Sequence, residues 1–227
     1  MTSIMIPDVA LVDNTEQRTP LVLVLDCSGS MDGEPVALLN EGLALLEQEL
    51  KSDVIASKRV RILVIQFGAH DEAVVASSWC DAMDFTAPVL AANGTTPTGA
   101  AVELALAEIE QEKQRFRAAG VAYTRPWLFL MSDGEPTDRW QQGAQQARAA
   151  EQANKVAIFP ICVGEHANID TLGEFSSRGG RGVKQLKGLQ FRELFLWLSA
   201  SMQVVSQSRP GAQAQLASTD GWSVVNT

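Results

Sequence analysis

Apolar residues follow two alternating rhythms along this chain. Apolar runs at 20–25, 126–131 and 156–164 have the length and the branched or aromatic content of buried strands, and 60–67, with Arg61 at its start, is a further strand enriched in the branched residues Val60, Ile62 and Val64. Between them the apolar positions are spaced for helices. Val36, Leu39, Leu43, Leu46 and Leu50 form one stripe over 34–51, with Pro35 suited to a first helical turn. Val102, Leu104, Ala105, Ile109 and Phe116 mark a helix over 98–118 with Thr98 as its N-cap. An Ala- and Gln-rich helix follows over 141–154, and Phe191, Leu194, Leu198, Met202 and Val205 stripe a last one over 191–205. A turn at 68–71 is too short for a crossover, so the strand at 72–79 returns antiparallel at one edge. A short helix near 169–175 and a small strand at 183–186 complete the pattern.

Strand-helix alternation of this kind predicts an α/β fold, doubly wound and Rossmann-like. Its mostly parallel six-stranded sheet carries one antiparallel edge strand and helices on both faces. The expected organisation is an N-terminal arm at 1–18, one domain at 19–206, and a linker and tail at 207–227. Trp222 keeps docking of that tail open beside disorder. Residues 108–117 read as a solvated charged face, and Trp127 and Trp197 as core.

The chemistry gathers where apolar runs stop. The first ends in Asp26-Cys27-Ser28-Gly29-Ser30, and the third in Ser132-Asp133-Gly134. Between them Gly94-Thr95-Thr96-Pro97-Thr98-Gly99 precedes a helix. Ligands of open parallel sheets collect outside the carboxyl ends of the strands, where all three turns can lie. Two carboxylates with neutral hydroxyls suit a hard divalent cation, whereas zinc or copper would want Cys or His, and both histidines stand elsewhere. Each turn also has a plainer reading. Asp26 and Ser28 would cap the following helix, Asp133 would close an Asx-turn with Gly134, and Asp32, Glu34, Glu135 and Asp138 would be solvated rim acids.

Composition narrows the function. A net charge of -9 repels nucleic acid and anionic membrane surfaces, so neither is an expected partner. No leader-like start and no apolar run of membrane length is present, and three distant cysteines, Cys27, Cys80 and Cys162, frame neither a disulfide set nor a zinc site. The expectation is a soluble, cytoplasmic protein. No Gly-x-x-x-x-Gly-Lys-Ser/Thr loop, Asp-x-Asp pair or Gly-x-Ser-x-Gly elbow supports an enzyme.

The Asp-x-Ser-x-Ser turn, the Gly-x-Thr-x-Thr-Gly run and the Ser-Asp-Gly turn, in that order, resemble the von Willebrand factor A domain family over about 19–205. The resemblance implies a metal-ion-dependent adhesion site at Asp26, Ser28, Ser30, Thr96 and Asp133, with Thr98 the lesser substitute for Thr96. It implies Mg²⁺, with Mn²⁺ or Ca²⁺ as alternatives, and a partner protein that presents Asp or Glu to the metal. Within the family, the run from Arg18 to Met31 and the Gly221-Trp222 tail resemble TerY-type proteins of tellurium-resistance and stress-response systems. That implies a protein kinase and a metal-dependent phosphatase as partners. Two alternatives remain at this level: a substrate-recruiting adaptor of an AAA-type ATPase, and a Mg²⁺-dependent phosphoryl-handling enzyme.

Overall fold

The computed structural model describes residues 11, 13–164 and 167–224, so the expected arm is seen only at 11 and 13–18 and the tail only to 224. Its elements in chain order are β1 (Thr19–Asp26), α1 (Glu34–Ser52), the single turn α2 (Ala56–Arg59), β2 (Val60–Phe67), β3 (Ala73–Asp81), α3 (Thr98–Ala119), β4 (Trp127–Ser132), α4 (Gln141–Gln152), β5 (Ala157–Cys162), α5 (Ile169–Gly173), β6 (Lys184–Leu186), α6 (Phe191–Gln207) and β7 (Ser223–Val224). The sheet order is β3-β2-β1-β4-β5-β6-β7. Parallel ladders run from β2 through β1, β4 and β5 to β6, and β3 lies antiparallel on β2. The doubly wound, mostly parallel sheet with an antiparallel edge is therefore present. A two-residue strand, β7, adds a further antiparallel pairing on β6.

β1 explains the layering. All eight of its residues are buried, and successive side chains point to opposite faces. Leu21, Leu23 and Leu25 join Leu39, Leu43 and Leu46 of α1 and Phe195 and Leu198 of α6. Val22 and Val24 join Val102, Ala105 and Ile109 of α3 and Ala144 and Ala147 of α4. An unbroken apolar strand is thus covered by helices on both sides. The chain winds from β1 to β2 in one direction and reaches β4 on the other side, so the connections diverge at the carboxyl ends of β1 and β4.

Two local expectations are corrected, and one left open takes a definite form. Thr98 is not the N-cap of α3: it lies within the first turn, Pro97 occupies the cap, and the Thr98 hydroxyl turns back to the Thr96 carbonyl. Residues 108–117 are not uniformly solvated, because Glu112 and Lys113 are buried. Glu112 accepts from Arg61 Nε at 2.5 Å and from Arg115 at 2.9 Å. Asp81 takes both arms of the Arg18 guanidinium at 3.0 Å, so a band of buried charge closes the amino-terminal end of β1 and β2. The tail, finally, is anchored at Trp222, which is 2% exposed and packs 5.3 Å from the Trp197 ring. Trp197 Nε1 donates to Ala217 O at 2.9 Å. Trp127 and Trp197 are core residues, as expected. Among the described residues no helix is long and apolar enough to cross a membrane.

Candidate metal centre

The three turns meet at the divergence point of the sheet. After β1 the chain leaves through a short turn at Gly29–Met31, and Ser28 Oγ lies 3.1 Å from Ser30 Oγ. Ser30 Oγ donates to Asp133 Oδ1 at 2.8 Å, joining the end of β1 to the end of β4. Gly29 N donates to Gly94 O at 3.0 Å, bringing the middle turn alongside the first. Thr96 stands next to Asp133's neighbour: a Cβ built on Gly134 would lie 3.7 Å from Thr96 Oγ1. All five predicted residues therefore come together from stretches far apart in the chain.

Glycines set how closely the turns nest. Gly68, in the loop after β2, has φ +110°, and a Cβ there would fall 2.4 Å from Ser28 N. Gly94 has φ +77°, and its Cβ would fall 2.2 Å from Gly68 O. Neither position has room for a side chain, and both adopt backbone angles that favour glycine.

The hydrogen bonds replace the helix-cap reading of Asp26 and Ser28. The N-cap of α1 is Gly33, and neither Asp26 nor Ser28 caps that helix with its side chain. Asp26 Oδ1 accepts instead from Ser28 N at 2.8 Å, while Asp26 Oδ2 accepts from Ser132 Oγ at 2.5 Å. Gly134 N donates to Ser132 Oγ at 3.3 Å, so the residue after Asp133 is tied to the serine before it. Ser132 was assigned no role from sequence, where the available signal was a hydroxyl closing an otherwise apolar strand; in the fold it is 1% exposed. Asp138 is likewise no idle rim acid. Its carboxylate accepts from Gly99 N at 3.2 Å and Ala100 N at 2.8 Å, capping α3 from the third turn. No sequence pattern links residues so distant.

The two acids of the site repel one another. Asp26 is 1% exposed, and burial pushes its carboxyl up to about 6 against the pull of the Ser132 and Ser28 hydrogen bonds; the Asp133 carboxylate pushes the same way. Burial raises Asp133 too, opposed by Ser30. Among the described residues no group of three His, Cys, Asp or Glu side chains is placed to hold a metal, so any ligand set here depends on hydroxyls beside the two acids. Two carboxylates among neutral hydroxyl oxygens fit a hard divalent cation. Burial pushes the neighbouring Cys27 thiol up to about 12, which keeps it protonated and unreactive.

A family model described as the von Willebrand factor type A domain matches residues 21–187. Among curated proteins none matches the chain. Solved structures of similar fold include the pilus adhesin SpaC from Lactobacillus rhamnosus GG in its open conformation, at 11% identity and TM-score 0.67 over 85% of this chain and 31% of that one. Proximal thread matrix protein 1 from the mussel byssus, with a zinc-occupied MIDAS motif, matches at 14% identity and TM-score 0.53 over 83% of this chain and 48% of its own. The manganese-loaded TRAP protein of Plasmodium vivax matches at 15% identity and TM-score 0.50, covering 81% and 73%. The chain spans about half the length of the mussel protein, and at these identities the likeness is one of fold.

Proposed function

The chain belongs to the von Willebrand factor type A domain family, and from that premise we propose that Asp26, Ser28, Ser30, Thr96 and Asp133 hold one divalent cation, Mg²⁺ in the cell, through which an Asp or Glu of a partner protein is captured. The observation that carries this reading is the Ser30–Asp133 hydrogen bond. It joins the two halves of an oxygen-lined site, the end of β1 with Asp26 and the end of β4 with Asp133.

Each residue has a physical task. Ser28 N and Ser132 Oγ hold Asp26 from both sides, fixing the innermost carboxylate. Ser28 and Ser30 present neutral oxygens, and Thr96 and Asp133 face them from the neighbouring turns. When bound, the cation supplies an electrophilic coordination position that an incoming carboxylate fills. With only two charged ligands the positive charge is incompletely neutralised, which favours a third acid from outside.

The role is that of a non-enzymatic interaction module, in keeping with zinc and manganese at the two metal-bearing fold neighbours. The 18–31 run and the Gly221-Trp222 tail lead us to place it with TerY-type proteins of tellurium-resistance and stress-response systems. There a protein kinase and a metal-dependent phosphatase would be its partners. A cytoplasmic setting suits three cysteines that are all unpaired.

Partner binding should weaken in EDTA and in Asp133→Ala while the circular dichroism spectrum persists; equal binding with and without metal would rule out the carboxylate bridge. A phosphatase or ATPase assay with Mg²⁺ separates the enzyme alternative, which would be favoured by turnover lost in Asp26→Ala. Because Asp26 titrates near 6, cation uptake below that pH must displace its proton. Mn²⁺ affinity, read by calorimetry, should fall about tenfold per pH unit below 6 and level off above it.

A further inference from the structure

Thr96 is fixed by a residue outside the set of five. Thr137 Oγ1 accepts from Thr96 N at 3.0 Å, and Thr137 N donates to Thr96 O at 2.9 Å. Both backbone polar groups of Thr96 are thereby engaged by one residue of the turn that also carries Asp133. Thr98 N adds a bond of 2.8 Å to the same carbonyl. Thr96 itself is 7% exposed, and among the described residues its hydroxyl makes no hydrogen bond. One position further along, Asp138 holds the first two amides beyond Thr98. The third turn is therefore the frame on which the second is mounted.

We propose that Thr137 is a positioning residue for the metal centre: its paired hydrogen bonds to Thr96 aim the Thr96 hydroxyl at the point where Asp26, Ser30 and Asp133 converge. This inference rests on the metal reading above. Its chemical content is specific. The Thr137 side chain is exposed, so it adds little to the core, and its oxygen is needed as an acceptor for a buried amide. Valine at 137 keeps the shape and removes that acceptor, while serine retains it. A peptide freed to rotate at Thr96 carries its hydroxyl away from the cluster.

The experiment uses the full chain and Mn²⁺ alone as probe, read by calorimetry and by the electron paramagnetic resonance line shape of the bound ion. Amide hydrogen exchange is measured on the metal-free proteins. Thr137→Val should weaken Mn²⁺ binding about 10- to 100-fold, the range seen for partners one shell removed from a metal. It should also accelerate exchange at the Thr96 amide, whereas Thr137→Ser should stay within about twofold of the parent in binding. Parent-like Mn²⁺ affinity and line shape in Thr137→Val would overturn the positioning role while leaving the metal reading intact. An unprotected Thr96 amide in the parent would overturn it without reference to metal. Failure of the parent protein to bind Mn²⁺, with the Thr96 amide protected, would instead sink the metal reading and with it the purpose assigned to Thr137.

Discussion

Asp26→Asn should melt higher than the parent protein in EDTA at pH 8, and should no longer respond to Mg²⁺ or Mn²⁺. The sign follows from the direction of the Asp26 shift. Its carboxyl titrates near 6 in the folded chain against an ordinary value of 3.8, so the folded state holds a proton that the unfolded state has released. The stabilisation from that proton is fully present below about pH 3.8 and is lost as pH rises through 6. A difference of this size corresponds to about 3 kcal/mol of metal-free stability by pH 8. Asparagine removes the buried charge and keeps an acceptor for Ser28 N, while the Ser132 hydroxyl can turn to accept from the new amide. For a chain of this length the gain is about 6–12 °C in Tm. Parent protein in saturating metal should recover the deficit, and Asp26→Asn should not. A metal-free Asp26→Asn that melts at or below the parent would show that burial of this carboxylate is not what the site stores.

The second large effect lies at the other pole. Asp81 is 2% exposed and accepts from both Arg18 arms, from Asn14 Nδ2 at 3.0 Å and from Arg61 at 3.3 Å. Arg18 and Arg61 are buried and cannot shed their protons. Asp81→Asn keeps the shape, removes a counter-charge and turns an amide donor toward guanidinium donors. Taking one member from a buried ionic group costs about 3–5 kcal/mol, so urea unfolding should register a loss in that range, and a loss below about 1 kcal/mol would show the band to be energetically idle. Asp26 and Phe67 pair at one end of the β1–β2 ladder, and Thr19 and Val60 at the other, so the two sites lie about 23 Å apart along eight-residue strands. Their effects should therefore add in the double variant.

These two residues also mark what the sequence could disclose. Asp26 was legible because an apolar strand ending in an acid and small hydroxyls announces both a buried element and a break in it. The order of the three turns supplied the rest. Strand positions followed from continuous apolar runs of strand length and helix positions from the 3.6-residue period, which local sequence carries directly. Asp81, Glu112 and Lys113 were not legible. Charged residues at helical spacing read as surface, and only the fold brings Arg61 of β2 beneath Glu112 of α3. Asp138 and Thr137 were hidden for the same reason, since they act on backbone amides some forty residues earlier. Thr98 misled because a threonine before a helix usually caps it, and here an aspartate from another turn performs that task. Trp222 was half legible: an isolated tryptophan signals burial somewhere but does not say against what.

The bond between Ser30 and Asp133 spans 103 residues of chain. A contact of that range is assembled only after β1 and β4 have found one another, among the slower pairings available to a polypeptide. The cluster of oxygens consequently has no counterpart in the unfolded ensemble, and an ion cannot template its own binding place. Cation uptake during refolding should thus lag behind the recovery of secondary structure, making the metal a clock for the last stage of sheet assembly.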